Sequence, residues 1–116
     1  MIVAAFYRQG DFIIGEISGH AGYAEAGKDI VCAAASILAF SLAEGLEREQ
    51  KRGGLQSLMI HRAAGKMRVS FSPNPERMES VAALIEGLVI GFELLSQKFP
   101  EFVRLKMKEE LFLQKT

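Results

Sequence analysis

One thiol and one imidazole fall within a single short segment of this chain. Residues 19–36 read GHAGYAEAGKDIVCAAAS and hold Cys32, the only cysteine of 116 residues, with His20, one of two histidines. A loop containing Gly19, Gly22 and Gly27 separates them, and Asp29 then opens a long apolar run. Aspartate ahead of such a run is a favoured N-cap, which places Cys32 in the first helical turn. Unpaired amides there carry about half a positive charge, and this favours a thiolate over a thiol. The same amides are suited to holding the oxyanion of a tetrahedral intermediate. His20, if beside the thiol, would pair with the thiolate and then protonate a leaving amine. Sequence separation alone does not bring the two side chains together. Asp29 has two roles open to it: capping the helix, or orienting His20 as the third member of a triad. Ser36, one turn beyond Cys32, can donate to the sulfur or to the carbonyl of residue 32.

Each of these residues also has a plainer use. A lone cysteine in an apolar helix commonly packs as a small hydrophobe. A histidine after Ser18-Gly19 commonly sits on a surface loop. The alternative to an enzyme is therefore a non-catalytic protein-binding module with a buried cysteine. A redox-sensing thiol would lack a resolving cysteine within the chain. His20, Cys32 and His61 share no recognised ligand spacing, so no metal is expected. Gly27-Lys28-Asp29 lacks the upstream glycine and the following hydroxyl of a phosphate loop, so no nucleotide cofactor is expected.

Composition sets the frame. With 49% hydrophobic and 24% charged residues the chain reads as one globular domain spanning residues 1–116. Lysine plus arginine and aspartate plus glutamate each number 14. No overall field then recruits nucleic acid or an acidic membrane, and neither is expected as a direct partner. A single cysteine fits a reducing compartment. The N-terminal residues MIVAAFYRQGD lack the pattern of a signal peptide. The apolar run from Ile30 to Ala43 is broken by Ser36, Ser41 and Glu44 before the roughly 20 residues of a membrane span. A cytoplasmic protein is the expectation.

Residues 2–8 and 12–17 alternate or cluster β-forming side chains around Gln9-Gly10-Asp11, predicting a hairpin. Apolar residues on both faces of its first strand suggest a sheet covered in part on both sides. A helix is predicted from Asp29 to about Lys51, ended by Arg52-Gly53-Gly54. Its first half is apolar almost all round and needs more than one covering surface. Residues 55–62 and 66–72 predict a second hairpin around Ala63-Ala64-Gly65, with His61 facing solvent. Asn74 as a cap and Pro75 at the first position predict a second helix up to Pro100. Its buried stripe runs from Met78 through Val81, Ile85, Val89 and Phe92 to Leu95. Val103, Leu105 and Met107 then alternate with basic residues as a last strand. The order ββαββαβ predicts an α+β domain with two long helices and a mostly antiparallel or mixed sheet.

The run SGHAGYAEAGKDIVCAAAS resembles the signature of Prp, the ribosomal-processing cysteine proteases of Firmicutes and their relatives. That family shows a GHA element, a glycine-containing loop and a G-x-DIVCAA-x-S helix start. The match spans the signature, and chain length and element order suit the family. Ala35 stands where valine is commoner, a packing change that leaves the site intact. The resemblance implies a cysteine endopeptidase that removes the N-terminal extension of a large-subunit ribosomal protein. Cleavage would follow an aromatic residue, typically Phe-Phe before Ala. It assigns catalysis to His20 and Cys32, support to Asp29 and Ser36, and a mobile loop to Gly19, Gly22, Tyr23 and Gly27. Tyr23 would belong to a lid. It also implies a homodimer, which agrees with an alanine-rich first helix needing extra cover, a face that could equally be buried within the monomer; the non-catalytic alternative is then a ribosome-associated module.

Overall fold

Period-two alternation near the N-terminus produces two antiparallel strands, β1 (Ile2–Gln9) and β2 (Phe12–Ser18), joined through Gly10. The computed structural model describes residues 1–25, 28–108 and 110–112. Helix α1 (Ile30–Lys51) follows, then the hairpin of β3 (Leu55–Ala63) and β4 (Lys66–Pro73). Helix α2 (Met78–Lys98) and β5 (Val103–Met107) complete the order. One five-stranded sheet results, ordered β3-β4-β2-β1-β5. β5 runs parallel to β1 and every other pairing is antiparallel, so the sheet is mixed.

Both helices lie on one face. Ile2, Ala4 and Phe6 of β1, Ile13 and Ile17 of β2, and Met67, Val69 and Phe71 of β4 point into a core shared with both helices. Covering on both faces was expected from the apolar character of β1. Instead Val3, Ala5 and Tyr7 face the open side half-buried, because small side chains and strand neighbours shield them without a second layer. Helix α1 is long and apolar enough by length and composition to cross a membrane. Its stripe of Val31, Ala35, Ala39, Leu42, Ala43 and Leu46 is nonetheless buried within the domain, beside α2 and β3. The two helices touch closely at Gly45 against Leu84 and at Gly91 against Leu38. Ile30, Ile37 and Phe40, on the other side of α1, are each 60% exposed.

The start of α2 departs from the expected cap. Residues Pro75–Arg77 form a single 3-10 turn, and the Asn74 side chain makes no capping bond. It donates instead to the Gly53 carbonyl, while the Asn74 amide donates to Gly54. The residue is spent on tying α2 to the turn after α1.

Glu49, only 3% exposed, secures the same junction. Its carboxylate accepts from Arg77 at 2.8 Å and from the Ser80 hydroxyl at 2.8 Å, with Arg52 at 3.7 Å. Hydrogen bonding to Arg77 holds the Glu49 carboxyl below its usual 4.5 despite burial, helped by Ser80 and by the charge of Arg52. A depressed folded-state value means that this contribution is full above about pH 4.5 and is lost as pH falls through the folded value. Arg77→Ala should cost about 2 kcal/mol at neutral pH, because it strands a buried carboxylate. Urea unfolding of both proteins checks this, and the gap between them should narrow on acidification.

Candidate active site

Backbone geometry anchors the site before any side chain is considered. At the end of β2, Gly19 adopts a φ of 96°, and its amide donates to the Gly65 carbonyl at 2.9 Å in the β3–β4 turn. A Cβ on Gly19 would overlap the Met1 carbonyl oxygen, so only glycine lets the chain leave the sheet here. His20 therefore emerges at a fixed point between the N-terminus and the second hairpin.

The start of α1 is fixed by Asp29. Oδ1 accepts from the amides of Val31 at 3.0 Å and Cys32 at 2.9 Å. Oδ2 accepts from Tyr23 at 3.0 Å and Ala24 at 3.4 Å. One carboxylate thus caps the helix and folds the preceding loop onto it. Partial burial alone would raise this carboxyl. Hydrogen bonds from the amides of Cys32, Ala24 and Tyr23, and from the Cys32 thiol, outweigh that effect and hold it below its usual 3.8.

The loop so folded brings Ala21 over the thiol, and the Ala21 amide donates to Cys32 Sγ at 3.2 Å. Ala21 itself is 4% exposed, so this donor is shielded from water. His20 and Cys32 line one open cavity of about 280 Å³, together with Ser36. Ile2, Ile17, Ala35 and Met67 give that cavity an apolar floor, and Phe40, Arg62 and Lys66 form its rim.

Not every sequence-assigned residue meets its expected partner. The His20 ring lies against Gly65, where an added Cβ would approach Nε2 to 3.2 Å. His20 and Cys32 share the cavity without a hydrogen bond between them, and Asp29 is committed to four amides rather than to His20. Asp29 caps the helix as one of its two expected roles, and in doing so it occupies the amides of residues 31 and 32, two of those suited to an oxyanion. Tyr23 packs edge-on against Phe99 and Phe102, with ring centroids 5.6 Å and 5.3 Å away, rather than over the cavity. Gly22 has a φ of 70° and open space around it, and Gly27 lies outside the described residues. His61 is exposed on β3, away from this site. Three contributors were invisible in the sequence: the Ala21 amide, the Met1 carbonyl, and Gly65, which was legible only as a turn residue.

Residues 1–104 match the family model described as "Cysteine protease Prp". The chain belongs to the Prp family of cysteine proteases. It is 28% identical over 93 residues to the ribosomal processing cysteine protease Prp of Bacillus subtilis, covering 78% of this chain and 80% of that relative. A solved structure from Streptococcus mutans superposes with a TM-score of 0.68 at 32% identity, covering 95% and 96% of the two chains. The Staphylococcus aureus Prp protease bound to a covalently linked product peptide superposes with a TM-score of 0.73 at 19% identity, over 93% and 100%. The mixed five-stranded sheet with two helices is therefore the Prp fold, and the chain is a cysteine protease.

Asp29→Ala should lower the melting temperature and expose residues 21–24 to faster amide exchange, because cap and loop anchor are lost together. Asp29 has a depressed value, so its contribution is full above about pH 3.8 and disappears as pH falls through the folded value. Melting curves of the two proteins should converge at acid pH.

Proposed function

We propose that this protease removes an N-terminal extension from a large-subunit ribosomal protein, cutting after an aromatic residue, with Cys32 as nucleophile and His20 as acid and base. The observation that carries this reading is the shared cavity: Cys32 opens into it beside His20 instead of being sealed in the core. A thiol serving only as packing would have no reason to face an open cleft. The named relatives support the substrate class. The Bacillus subtilis relative is a ribosomal processing protease, and the Staphylococcus aureus structure holds a covalently linked product peptide.

In the proposed reaction Cys32 gives its thiol proton to His20, the sulfur bonds to the scissile carbonyl carbon, and the carbonyl electron pair moves onto oxygen. The amides of Val31 and Cys32 already serve Asp29, and the donor set against the sulfur is the Ala21 N–H, which transfers its bond from sulfur to the oxyanion. Collapse breaks the C–N bond as His20 delivers a proton to the departing amine. Water then attacks the thioester carbonyl, giving its proton to His20; the C–S bond breaks, His20 returns the proton to the sulfur, and the peptide acid leaves. Ser36 supports the sulfur from one turn along α1. An apolar floor and the Phe40 wall suit an extended segment ending in an aromatic side chain. The loop carrying Gly19, Gly22 and Tyr23 moves as substrate enters, which brings the His20 ring from Gly65 toward the sulfur. A second copy of the chain covers Ile30, Ile37 and Phe40 of α1, making the working form a cytoplasmic homodimer.

Incubation with a peptide containing Phe-Phe-Ala, followed by mass spectrometry, should yield two fragments. Cys32→Ala should abolish them while the circular dichroism spectrum is unchanged; retained turnover would remove the thiol from the mechanism. His20→Ala should lower kcat by at least about a hundredfold with KM little altered, since it removes the acid–base group and leaves the cavity floor untouched. Phe40→Glu should shift the sedimentation coefficient to that of a monomer.

A further inference from the structure

The even charge balance of the sequence conceals a segregation that the fold creates. Carboxylates outnumber cations on the helix layer: Glu44, Glu47 and Glu49 on α1, Glu76 ahead of α2, and Glu79, Glu86 and Glu93 along it, against Arg48, Lys51, Arg77 and Lys98. The strands contain a single carboxylate, Glu16. Strand register lays cations across the face opposite the helices. One row reads His61, Arg68, Glu16, Ala5 and Lys106 from β3 to β5, and the next reads Ala63, Lys66, Ser18, Val3 and Arg104. Just beyond β5, Lys108 holds its Nζ 5.6 Å from the centre of the Tyr7 ring.

Glu16 lies 4.0 Å from Lys66 and 3.9 Å from Arg68 and accepts from the Tyr7 hydroxyl, so it offsets part of one side of the patch. Among the described residues, Arg104, Lys106 and Lys108 have no carboxylate within ion-pair distance. Strand spacing puts Arg68 and Lys106 about 14 Å apart, with successive rows about 7 Å apart. Between them, Tyr7, Glu16, Lys106 and Lys108 border a shallow groove of about 260 Å³.

We propose that this open sheet face binds the phosphate backbone of RNA. Protein partners favour surfaces with an apolar centre depleted of charge. The β2–β1–β5 part of this face has the opposite character: Ala5, Glu16 and Ser18 at its middle with cations around them, as nucleic-acid interfaces have, while Ile14 and Met59 lie in the row beyond. Tyr7 and His61 add flat rings beside the cations, a combination suited to single strands. Lys66 belongs both to this face and to the rim of the cavity, so bound RNA would lie next to the cleft. A protease acting on a ribosomal protein would thereby be held at an RNA-bound substrate. The binding itself does not require Cys32.

Fluorescence anisotropy of the full chain with a labelled single-stranded oligouridylate tests the proposal. Affinity should fall with salt, with a log–log slope near −3 for about four phosphate contacts. The double variant Arg104→Glu, Lys106→Glu should weaken binding at least about tenfold and flatten the slope, while Phe-Phe-Ala peptide cleavage is unchanged. Cys32→Ala should bind RNA as the parent does, so failure of the catalytic reading and failure of this one are separable. No binding at low salt, or binding indifferent to the charge reversals, would overturn the proposal. Equal or tighter binding of a labelled polyglutamate peptide under the same conditions would overturn it in favour of an acidic protein partner.

Discussion

A single carboxylate joins the two halves of this site. Asp29 takes two amides from the first turn of α1 with one oxygen and two from the loop before it with the other. Helix start and loop are thereby fixed to each other, and that in turn sets the Ala21 amide against the Cys32 sulfur. The usual role of a cap is to satisfy donors that the helix leaves orphaned. Here it also consumes the donors that a nucleophile at a helix start would otherwise use. In the reaction we propose, the oxyanion is therefore held from the loop rather than from the helix.

His20 is set by a different constraint, close backbone approach. Gly19 has no Cβ and so fits between the Met1 carbonyl and the β3–β4 turn, which delivers the imidazole to Gly65. Cys32 and His20, the proposed nucleophile and acid–base group, thus hang from separate scaffolds, one helical and one at a strand end. They face one cavity without a hydrogen bond between them. That separation suits a site completed by its substrate, as apo geometries of catalytic pairs commonly are.

The fold supplies two surfaces with distinct chemistry. Both helices pack on the same face of the sheet, leaving the opposite face open and basic and the outer side of α1 apolar. The cleft lies where these regions meet, with Phe40 on one wall and Lys66 on another.

Sequence by itself determined the elements and their order, because periodicity, caps and turn residues act over a few neighbours. The Asp29 cap, the position of Cys32 in the first turn, both hairpins and the stripe of α2 were all readable in that way. The signature around His20 and Cys32 likewise named the family without any geometry. The Asn74 cap was misread because its amide found a partner across the fold, at Gly53, that no local rule reveals. Only the tertiary structure decided that both helices share one face, that His20 rests on Gly65, and that the helix-start amides are already occupied. It alone also decided that cations scattered along β4 and β5 converge on one surface. Each of these depends on residues far apart in the chain, whose meeting is set by strand order and register. A composition of equal opposite charges is silent on where those charges lie.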